Sequence, residues 1–133
     1  KNNVLTTCVG DILPAEEFYT FDAKYKNEES RVIIPADISE QISDEIRKTA
    51  EKAFKAVDGS GLARVDFFVE DKTNRIIINE INTMPGFTQI SMYPKLWEKM
   101  GYSYSKLLDG LIELAFTKLV FMDGGKNGKI YRE

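Results

Sequence analysis

The pattern of apolar and polar positions predicts a chain that mixes strands with helices. Residues 4–13, 16–20 and 31–34 are rich in aromatic and β-branched side chains, which are typical of strands. Residues 21–30 (FDAKYKNEES) are mostly polar and charged, which predicts an exposed loop between the last two of these strands. Such a loop is either a solvated connection or a mobile lid that closes over a binding site.

Three helices are predicted from apolar residues at helical spacing and from capping residues. The first begins at a cap formed by Asp37 or Ser39 and runs to about Val57. A short second helix is predicted over 94–100, and a third over about 103–119. The apolar stripe of the first helix consists of Ile42, Ile46, Ala50, Ala53, Phe54 and Val57.

The stretch with the most chemistry is a predicted β-hairpin followed by a turn. Residues 61–70 (GLARVDFFVE) and 76–82 (IIINEIN) are rich in Val, Ile and Phe, which favours two strands. The polar residues 71–75 between them are typical of a hairpin loop. Residues 84–86 (MPG) then predict a tight turn where the second strand ends.

Two pairs of polar residues interrupt these apolar strands. Arg64 and Asp66 lie on one face of the first strand, because side chains two residues apart share a face. A loop of three or five residues would place Asp66 opposite Glu80 and Arg64 opposite Asn82. A two-residue loop would instead place Asp66 opposite Asn79. We expect the odd loop.

The expected juxtaposition of Asp66 and Glu80 is consistent with two kinds of site. Carboxylates directly opposite each other have Cβ atoms about 4.5–5.5 Å apart and repel unless a positive charge lies between them. A hard cation such as Mg²⁺ would take oxygen ligands from Asp66, Glu80 and Asn82 and keep positions for substrate phosphates. The alternative is a structural ion pair between Arg64 and the acids.

Composition and charge exclude several classes of function. A chain of 133 residues with 43% hydrophobic residues is long enough for one domain with a core. The net charge of -3, with both signs interspersed, gives no basic stripe for nucleic acid. One cysteine and no histidine exclude an internal disulfide, a Cys/His zinc site and a histidine-based triad. The sequence has neither a signal-peptide pattern nor the roughly 20 apolar residues of a membrane span, so we expect a cytoplasmic protein.

Three stretches taken together resemble the carboxy-terminal part of D-alanine:D-alanine ligases, which belong to the ATP-grasp superfamily. They are FDAKY, GLARVDFFVE and IIINEINTMPGFTQISMYPKLWEKMGYSYSKLLDGLIELA. The resemblance implies a mixed α+β fold over 1–121, a largely antiparallel sheet packed against helices, with a polar tail at 122–133. It also implies a fragment that lacks the amino-terminal and central domains of the family and is inactive alone.

The resemblance further implies an ATP-dependent ligation for peptidoglycan precursor synthesis. In the family, the carboxylate of one D-alanine becomes an acyl phosphate, and the amine of a second D-alanine attacks it. Residues matching Asp66, Glu80 and Asn82 hold two Mg²⁺ ions, which Mn²⁺ can replace. The lysine matching Lys24 reaches the γ-phosphate of ATP, and Asn79 and Glu80 are further candidate contacts to the nucleotide.

The same resemblance implies roles for residues around the reacting carbonyl. An arginine matching Arg64 and the backbone N–H of a glycine matching Gly86 surround the tetrahedral intermediate, where negative charge develops on oxygen. Tyr25 takes part in closing the acceptor side, which favours the lid interpretation of its loop. Ser91 and Met92 match positions that hold the carboxylate and flank the side chain of the second D-alanine.

The identity of the acceptor and the catalytic role itself stay open at this point. The Lys-Tyr pair of the loop resembles enzymes that accept D-alanine more than those that accept D-lactate, but D-serine is a second possible acceptor. An ATP-grasp ligase with a different acceptor and a non-catalytic module that binds nucleotide or metal are two further interpretations. Asn3 stands where the family usually carries a glutamate that holds the ribose hydroxyls. The implied partners are D-alanine, ATP and a second copy of the full-length enzyme, with neither nucleic acid nor membrane.

Overall fold

The computed structural model describes residues 3–13, 31–88 and 90–122. Their strands form two antiparallel pairs, β1 with β2 and β3 with β4. Together with three helices they confirm the predicted mixture of helices with antiparallel strands. The elements are β1 (Asp11–Leu13), β2 (Arg31–Ile33), α1 (Glu40–Ala56), β3 (Arg64–Val69), β4 (Ile76–Asn82), α2 (Met92–Lys99) and α3 (Tyr104–Met122).

Several predicted features lie outside the described residues. These are the strand at 16–20, the loop at 21–30 with Lys24 and Tyr25, and the tail after residue 122. Met122 itself, the first residue of the predicted tail, is the last residue of α3.

The first predicted strand is much shorter in the structure than the pattern of residues 4–13 indicates. Only Asp11–Leu13 is a strand, with Ile12 opposite Val32. A strand exists only where a neighbour supplies ladder hydrogen bonds, and β2 offers three residues. Residues 3–10 form no regular element, although the Ala36 N–H donates to the Val9 carbonyl over 2.8 Å.

Helix α1 confirms the predicted helix and identifies its cap. The Ser39 Oγ accepts a hydrogen bond from the Ile42 N–H at 3.3 Å, so Ser39 rather than Asp37 caps the helix. Of the predicted apolar stripe, Ile46 is buried, whereas Val57 at the helix end is exposed. The helix packs against β4 and so supports the hairpin from one side.

Helices α2 and α3 pack together, and aromatic rings of α2 stack on each other and on the turn that follows it. The ring of Trp97 lies 6.3 Å from that of Tyr93 and 5.2 Å from that of Tyr102, both edge to face. Tyr93 and Leu107 are buried at this contact, and burial raises the pKa of the Tyr93 phenol. In the described ranges, no helix is both long enough and apolar enough to span a membrane.

The ends of these two helices differ from the predicted ones. Helix α2 begins at Met92, two residues before the predicted start at Pro94. Proline is tolerated in a first helical turn, because its missing N–H would have no acceptor inside the helix. Helix α3 has the predicted Ser103 cap, whose Oγ accepts from the Lys106 N–H at 3.2 Å, but it extends to Met122.

Candidate active site

The β3–β4 hairpin pairs the polar residues as predicted. Asp66 lies opposite Glu80, and Arg64 lies opposite Asn82. The end of the hairpin therefore carries two acids, an amide and a guanidinium within two residue pairs on one face.

The loop length and the strand register that produce this pairing differ from the predicted ones. The Glu70 N–H donates to the Arg75 carbonyl over 3.0 Å, so the loop has four residues, 71–74, and the expectation of an odd loop is wrong. The register then shifts by one residue between Asp66 and Phe67, which leaves Asn79 without a partner on β3. This β-bulge supplies the extra residue that an odd loop would have supplied.

The bulge sorts the hairpin side chains into an apolar face and a partly polar face. In an unbroken strand Ile78 and Ile81 would lie on opposite faces, since they are three residues apart. The bulge at Asn79 returns them to one face. The apolar face carries Val65, Phe67, Val69, Ile76, Ile78 and Ile81, and the other carries Arg64, Asp66, Phe68, Ile77, Glu80 and Asn82.

Arg64 is the centre of the polar cluster. Its Nε lies 2.7 Å from Asp66 Oδ1 and its Nη2 lies 2.7 Å from Asp66 Oδ2, a bidentate pair. The same Nη2 lies 3.9 Å from Glu80 Oε1. The hydrogen bonds to Asp66 raise the pKa of the Arg64 guanidinium above its usual value; partial burial opposes this, and the charges of both acids add to it. Arg64 is thus a fixed positive charge.

The donor set of this cluster fits a hard divalent cation. Asp66 and Glu80 supply carboxylate oxygens and Asn82 supplies an amide oxygen, which are ligands that Mg²⁺ takes. Each Asp66 oxygen keeps a further lone pair beside its hydrogen bond to Arg64, so ion pairing and metal binding can use the same carboxylate. In the described part of the chain, no group of three or more Asp, Glu, Cys or His could hold a metal, so a cation here depends on Asn82.

The loop after β4 is built around the Ser91 hydroxyl. The Thr88 N–H donates to Ser91 Oγ over 3.0 Å, and Thr88 Oγ1 lies 2.8 Å from the same oxygen. A Cβ on Gly86 would lie 2.8 Å from Ser91 Oγ, so glycine leaves the space that this hydroxyl fills. At the other side of the loop, the Tyr104 hydroxyl donates to the Phe87 carbonyl over 2.9 Å.

Ser91 also forms the amino-terminal cap position of α2, but it makes no side-chain capping bond there. The backbone N–H groups of Met92 and Tyr93 have no acceptor within the helix, because they lie in its first turn. Together with the helix dipole they make this end of α2 favourable for an anion. The Met92 side chain lies against Gly10, with its Sδ 3.0 Å from where a Cβ on Gly10 would be, so Met92 offers its backbone to the site.

The structure therefore arranges most of the predicted residues in two groups. Arg64, Asp66, Glu80 and Asn82 form the hairpin group, and the Asn82 Oδ1 accepts a hydrogen bond from the Met84 N–H at 3.1 Å at the start of the loop. The loop group consists of Gly86, Ser91 and Met92. Asn79 is exposed at the bulge, and Lys24 and Tyr25 lie outside the described residues.

Two residues that hold the loop were missed by sequence reasoning. Thr88 and Tyr104 hold the loop through their hydroxyls and line a groove of about 580 Å³ beside α2. The spacing of Thr88 and Ser91, three residues apart in a turn, is a signal for a local hydroxyl contact that could have been found. No comparable signal links Tyr104 to Phe87, because they are seventeen residues apart.

Comparisons with known proteins gave consistent matches. A family model described as D-ala D-ala ligase C-terminus matches residues 1–113. The D-alanine–D-alanine ligase of Acetivibrio thermocellus is 57% identical over 118 residues, which is 89% of this chain and 31% of that protein. The chain thus spans about a third of the length of the curated relatives it matches.

Two solved structures show the same similarity in three dimensions. The D-alanine-D-alanine ligase from Coxiella burnetii matches with a TM-score of 0.68 and 47% identity, over 71% of this chain and 27% of that chain. The VanG D-Ala:D-Ser ligase from Enterococcus faecalis matches with a TM-score of 0.72 and 34% identity, over 85% of this chain and 33% of that chain.

Proposed function

Since the chain belongs to the D-ala D-ala ligase C-terminus family, we propose that it is the carboxy-terminal part of an enzyme that uses ATP to join two D-alanines. Family membership confirms the resemblance noted in the sequence and the ATP-grasp fold class. The observation that carries the proposal is the hairpin group, in which Arg64 lies beside two acids and an amide on one face. We propose residues 1–121 as the ATP-grasp part and 122–133 as a polar tail.

The hairpin group is the proposed site for the metal-bound phosphates of ATP. Asp66, Glu80 and Asn82 would hold Mg²⁺ or Mn²⁺, two ions in all, and such ions when bound neutralise charge on the phosphates. Lys24 and Asn79 are proposed as further contacts to the nucleotide. The hard oxygen donors of the three ligands support this assignment.

Arg64 and Gly86 are proposed to stabilise negative charge on the reacting carbonyl. Phosphorylation of the first D-alanine and attack by the amine of the second both place charge on oxygen. A guanidinium that stays protonated supplies fixed positive charge, and the Gly86 N–H supplies a backbone donor. Such stabilisation is effective where the donors are held in place before the reaction, and the bidentate pair with Asp66 holds the Arg64 guanidinium in this way.

The amino terminus of α2 is proposed to bind the carboxylate of the acceptor. The Ser91 hydroxyl and the backbone N–H of Met92 would donate to it, and the positive end of the helix dipole favours the charge. Tyr25, from the loop at 21–30, is proposed to close the acceptor side. Holding the acceptor by its carboxylate leaves its amine free to attack.

The test is the release of ADP by the full-length protein that carries this chain, with ATP, Mg²⁺ and D-alanine. We expect ADP together with D-alanyl-D-alanine, identified by mass. Parallel mixtures contain D-serine or D-lactate as a second amino or hydroxy acid. ATP consumption only with another acid and amine would contradict the proposal while leaving the family intact.

D-serine is the second candidate acceptor, because the VanG D-Ala:D-Ser ligase matches 85% of this chain. A D-alanyl-D-serine product that outcompetes D-alanyl-D-alanine at equal acceptor concentrations would favour it. We further propose that the protein works as a homodimer in the cytoplasm, where its nucleotide substrate is available. Light scattering of the full-length protein tests the dimer.

A further inference from the structure

We propose that Thr88 is a positioning residue that orients the Ser91 hydroxyl toward the carboxylate of the acceptor. This inference rests on the proposed function, since it assigns the acceptor carboxylate to Ser91. It starts from the two contacts that Thr88 makes with Ser91 Oγ, one from its backbone N–H at 3.0 Å and one from its hydroxyl at 2.8 Å.

The hydrogen-bonding capacity of a hydroxyl decides what Ser91 can still do. A serine hydroxyl donates one hydrogen bond and accepts two. The Thr88 N–H occupies one acceptor position of Ser91 Oγ. When the Thr88 hydroxyl donates as well, both acceptor positions are filled, and Ser91 keeps only its proton for a ligand. A carboxylate accepts that proton.

The opposite orientation of the pair would be less useful to an anion. If the Ser91 hydroxyl donated to Thr88, it could not also donate to a ligand. The hydroxyl of the pair that could still donate would be that of Thr88. A carboxylate bound at the amino terminus of α2 lies beside Ser91, the cap position, and therefore favours the orientation in which Thr88 donates. Thr88 thus sets the direction of the donor without touching the ligand.

The helix itself does not compete for the Ser91 hydroxyl. A capping serine usually accepts from the N–H of the second or third helical residue. The third residue of α2 is Pro94, which has no N–H, and Ser91 makes no capping bond. The hydroxyl is consequently held by Thr88 instead of by α2.

The test uses three variants of the full-length protein. Thr88→Val removes the hydroxyl at nearly constant shape and keeps the backbone N–H, whereas Thr88→Ser keeps a hydroxyl. Tyr104→Phe is the matched control, because it removes a hydroxyl hydrogen bond from the same loop, at Phe87, without touching Ser91. The measurements are kcat, the KM for acceptor D-alanine, the KM for ATP, and the melting temperature.

We expect Thr88→Val to raise the KM for acceptor D-alanine about 3- to 10-fold, the range of one hydrogen bond. The other constants should stay within about twofold, and Thr88→Ser and Tyr104→Phe should resemble the wild type. With D-alaninamide as acceptor, which has no carboxylate, the effect of Thr88→Val should disappear. Thr88→Ala should behave as Thr88→Val does.

Each of the other possible outcomes contradicts either the proposed function or the role of Thr88. A wild-type protein that forms no D-alanyl dipeptide overturns the proposed function and this inference with it. An active wild type with an unchanged acceptor KM in Thr88→Val overturns the inference alone. Equal losses with D-alaninamide, or an equal rise in Tyr104→Phe, would show that Thr88 only stabilises the loop and would also overturn it.

Discussion

At the scale of single residues, the two acids of the hairpin group differ in what else holds them. Asp66 is bound by both nitrogens of the Arg64 fork and its side chain is 28% exposed, whereas that of Glu80 is 57% exposed and lies 3.9 Å from the guanidinium. An exposed ion pair contributes at most about 1 kcal/mol to stability. Glu80 can therefore be changed with less structural cost than Asp66.

We predict that Glu80→Gln in the full-length protein lowers kcat strongly and raises the Mg²⁺ concentration for half-maximal rate, because it removes a charged metal ligand. The melting temperature should hardly change. Asp66→Asn should lower both activity and melting temperature, since it also weakens the pair with Arg64. Asp71→Asn in the hairpin loop is the control for charge. Unaltered Mg²⁺ dependence in Glu80→Gln would rule out Glu80 as a ligand.

Position 86 requires glycine because a larger side chain would not fit, and not because of its backbone conformation. Its φ is not positive, but a Cβ would lie 2.8 Å from Ser91 Oγ. We predict that Gly86→Ala displaces the Ser91 hydroxyl and lowers kcat/KM for the acceptor about 10-fold or more, with the KM for ATP unchanged. Steady-state kinetics with each substrate varied in turn measures this.

The control for Gly86→Ala is Gly110→Ala in α3, where an added Cβ would meet no atom within 4 Å apart from its chain neighbours and the backbone of its own helix. Alanine there should stabilise the helix by roughly 0.5–1 kcal/mol and leave the kinetics unchanged. A Gly86→Ala enzyme with normal acceptor kinetics would mean that Ser91 can move aside without loss.

At the scale of the elements, the bulge decides which side chains face the site. Deleting Asn79 would remove the extra residue and give a regular ladder in which Asp66 still lies opposite Glu80 and Arg64 still lies opposite Asn82. We predict that this deletion keeps the hairpin pairs and nearly all of the stability, as Asn79→Ala should. Both variants should raise the KM for ATP, because each removes a proposed contact to the nucleotide.

The measurement is a thermal melt combined with a crystal structure or a two-dimensional NMR spectrum of the backbone amides of each variant. If the deletion variant lost the pairing of Asp66 with Glu80, the bulge would itself be needed to hold these residues opposite each other.

The same hairpin shows how much of the site was predictable. The pairing of Asp66 with Glu80 followed from the sequence because strand alternation restricts which residues can meet. The bulge did not follow, because the prediction of the pairing considered only the length of the loop. Ile78 and Ile81 are three residues apart, so the alternation of apolar positions along the strand is broken between them. That break is a local signal of a bulge.

The remaining errors had causes that the local sequence does not contain. The strand over 4–13 was predicted from its residue types, but its length depends on the three residues of β2 that pair with it. Strand propensity describes fit to a sheet and not the presence of a partner. The hydrogen bond from Tyr104 to Phe87 likewise depends on how α3 lies against the loop. The cap of α1, by contrast, could be predicted to be one of two residues, Asp37 or Ser39, because capping is a local interaction.

At the scale of the whole molecule, many large apolar side chains of the described residues are exposed. On the partly polar face of the hairpin, Phe68 is 61% exposed and Ile77 is 41% exposed. On α3, Ile112 is 55% exposed and Phe116 is 53% exposed. Large exposed apolar patches mark interaction sites, ligand-binding grooves or surfaces prone to aggregation. The buried hydrophobic side chains of the described residues are Ile46, Tyr93 and Leu107.

This small core leads to a prediction about the isolated 133-residue chain. Fully burying a large apolar side chain stabilises a fold by roughly 1.5–3 kcal/mol, whereas fixing each backbone residue costs about 1–2 kcal/mol. The free energy gained by burying a few side chains is therefore too small to offset the cost of ordering many backbone residues. We predict that the isolated chain unfolds over a broad temperature range and binds the dye ANS, while the full-length protein unfolds cooperatively. Circular dichroism and dye fluorescence measure both. A sharp transition without dye binding would mean that the chain folds independently, with its exposed apolar surface tolerated in water.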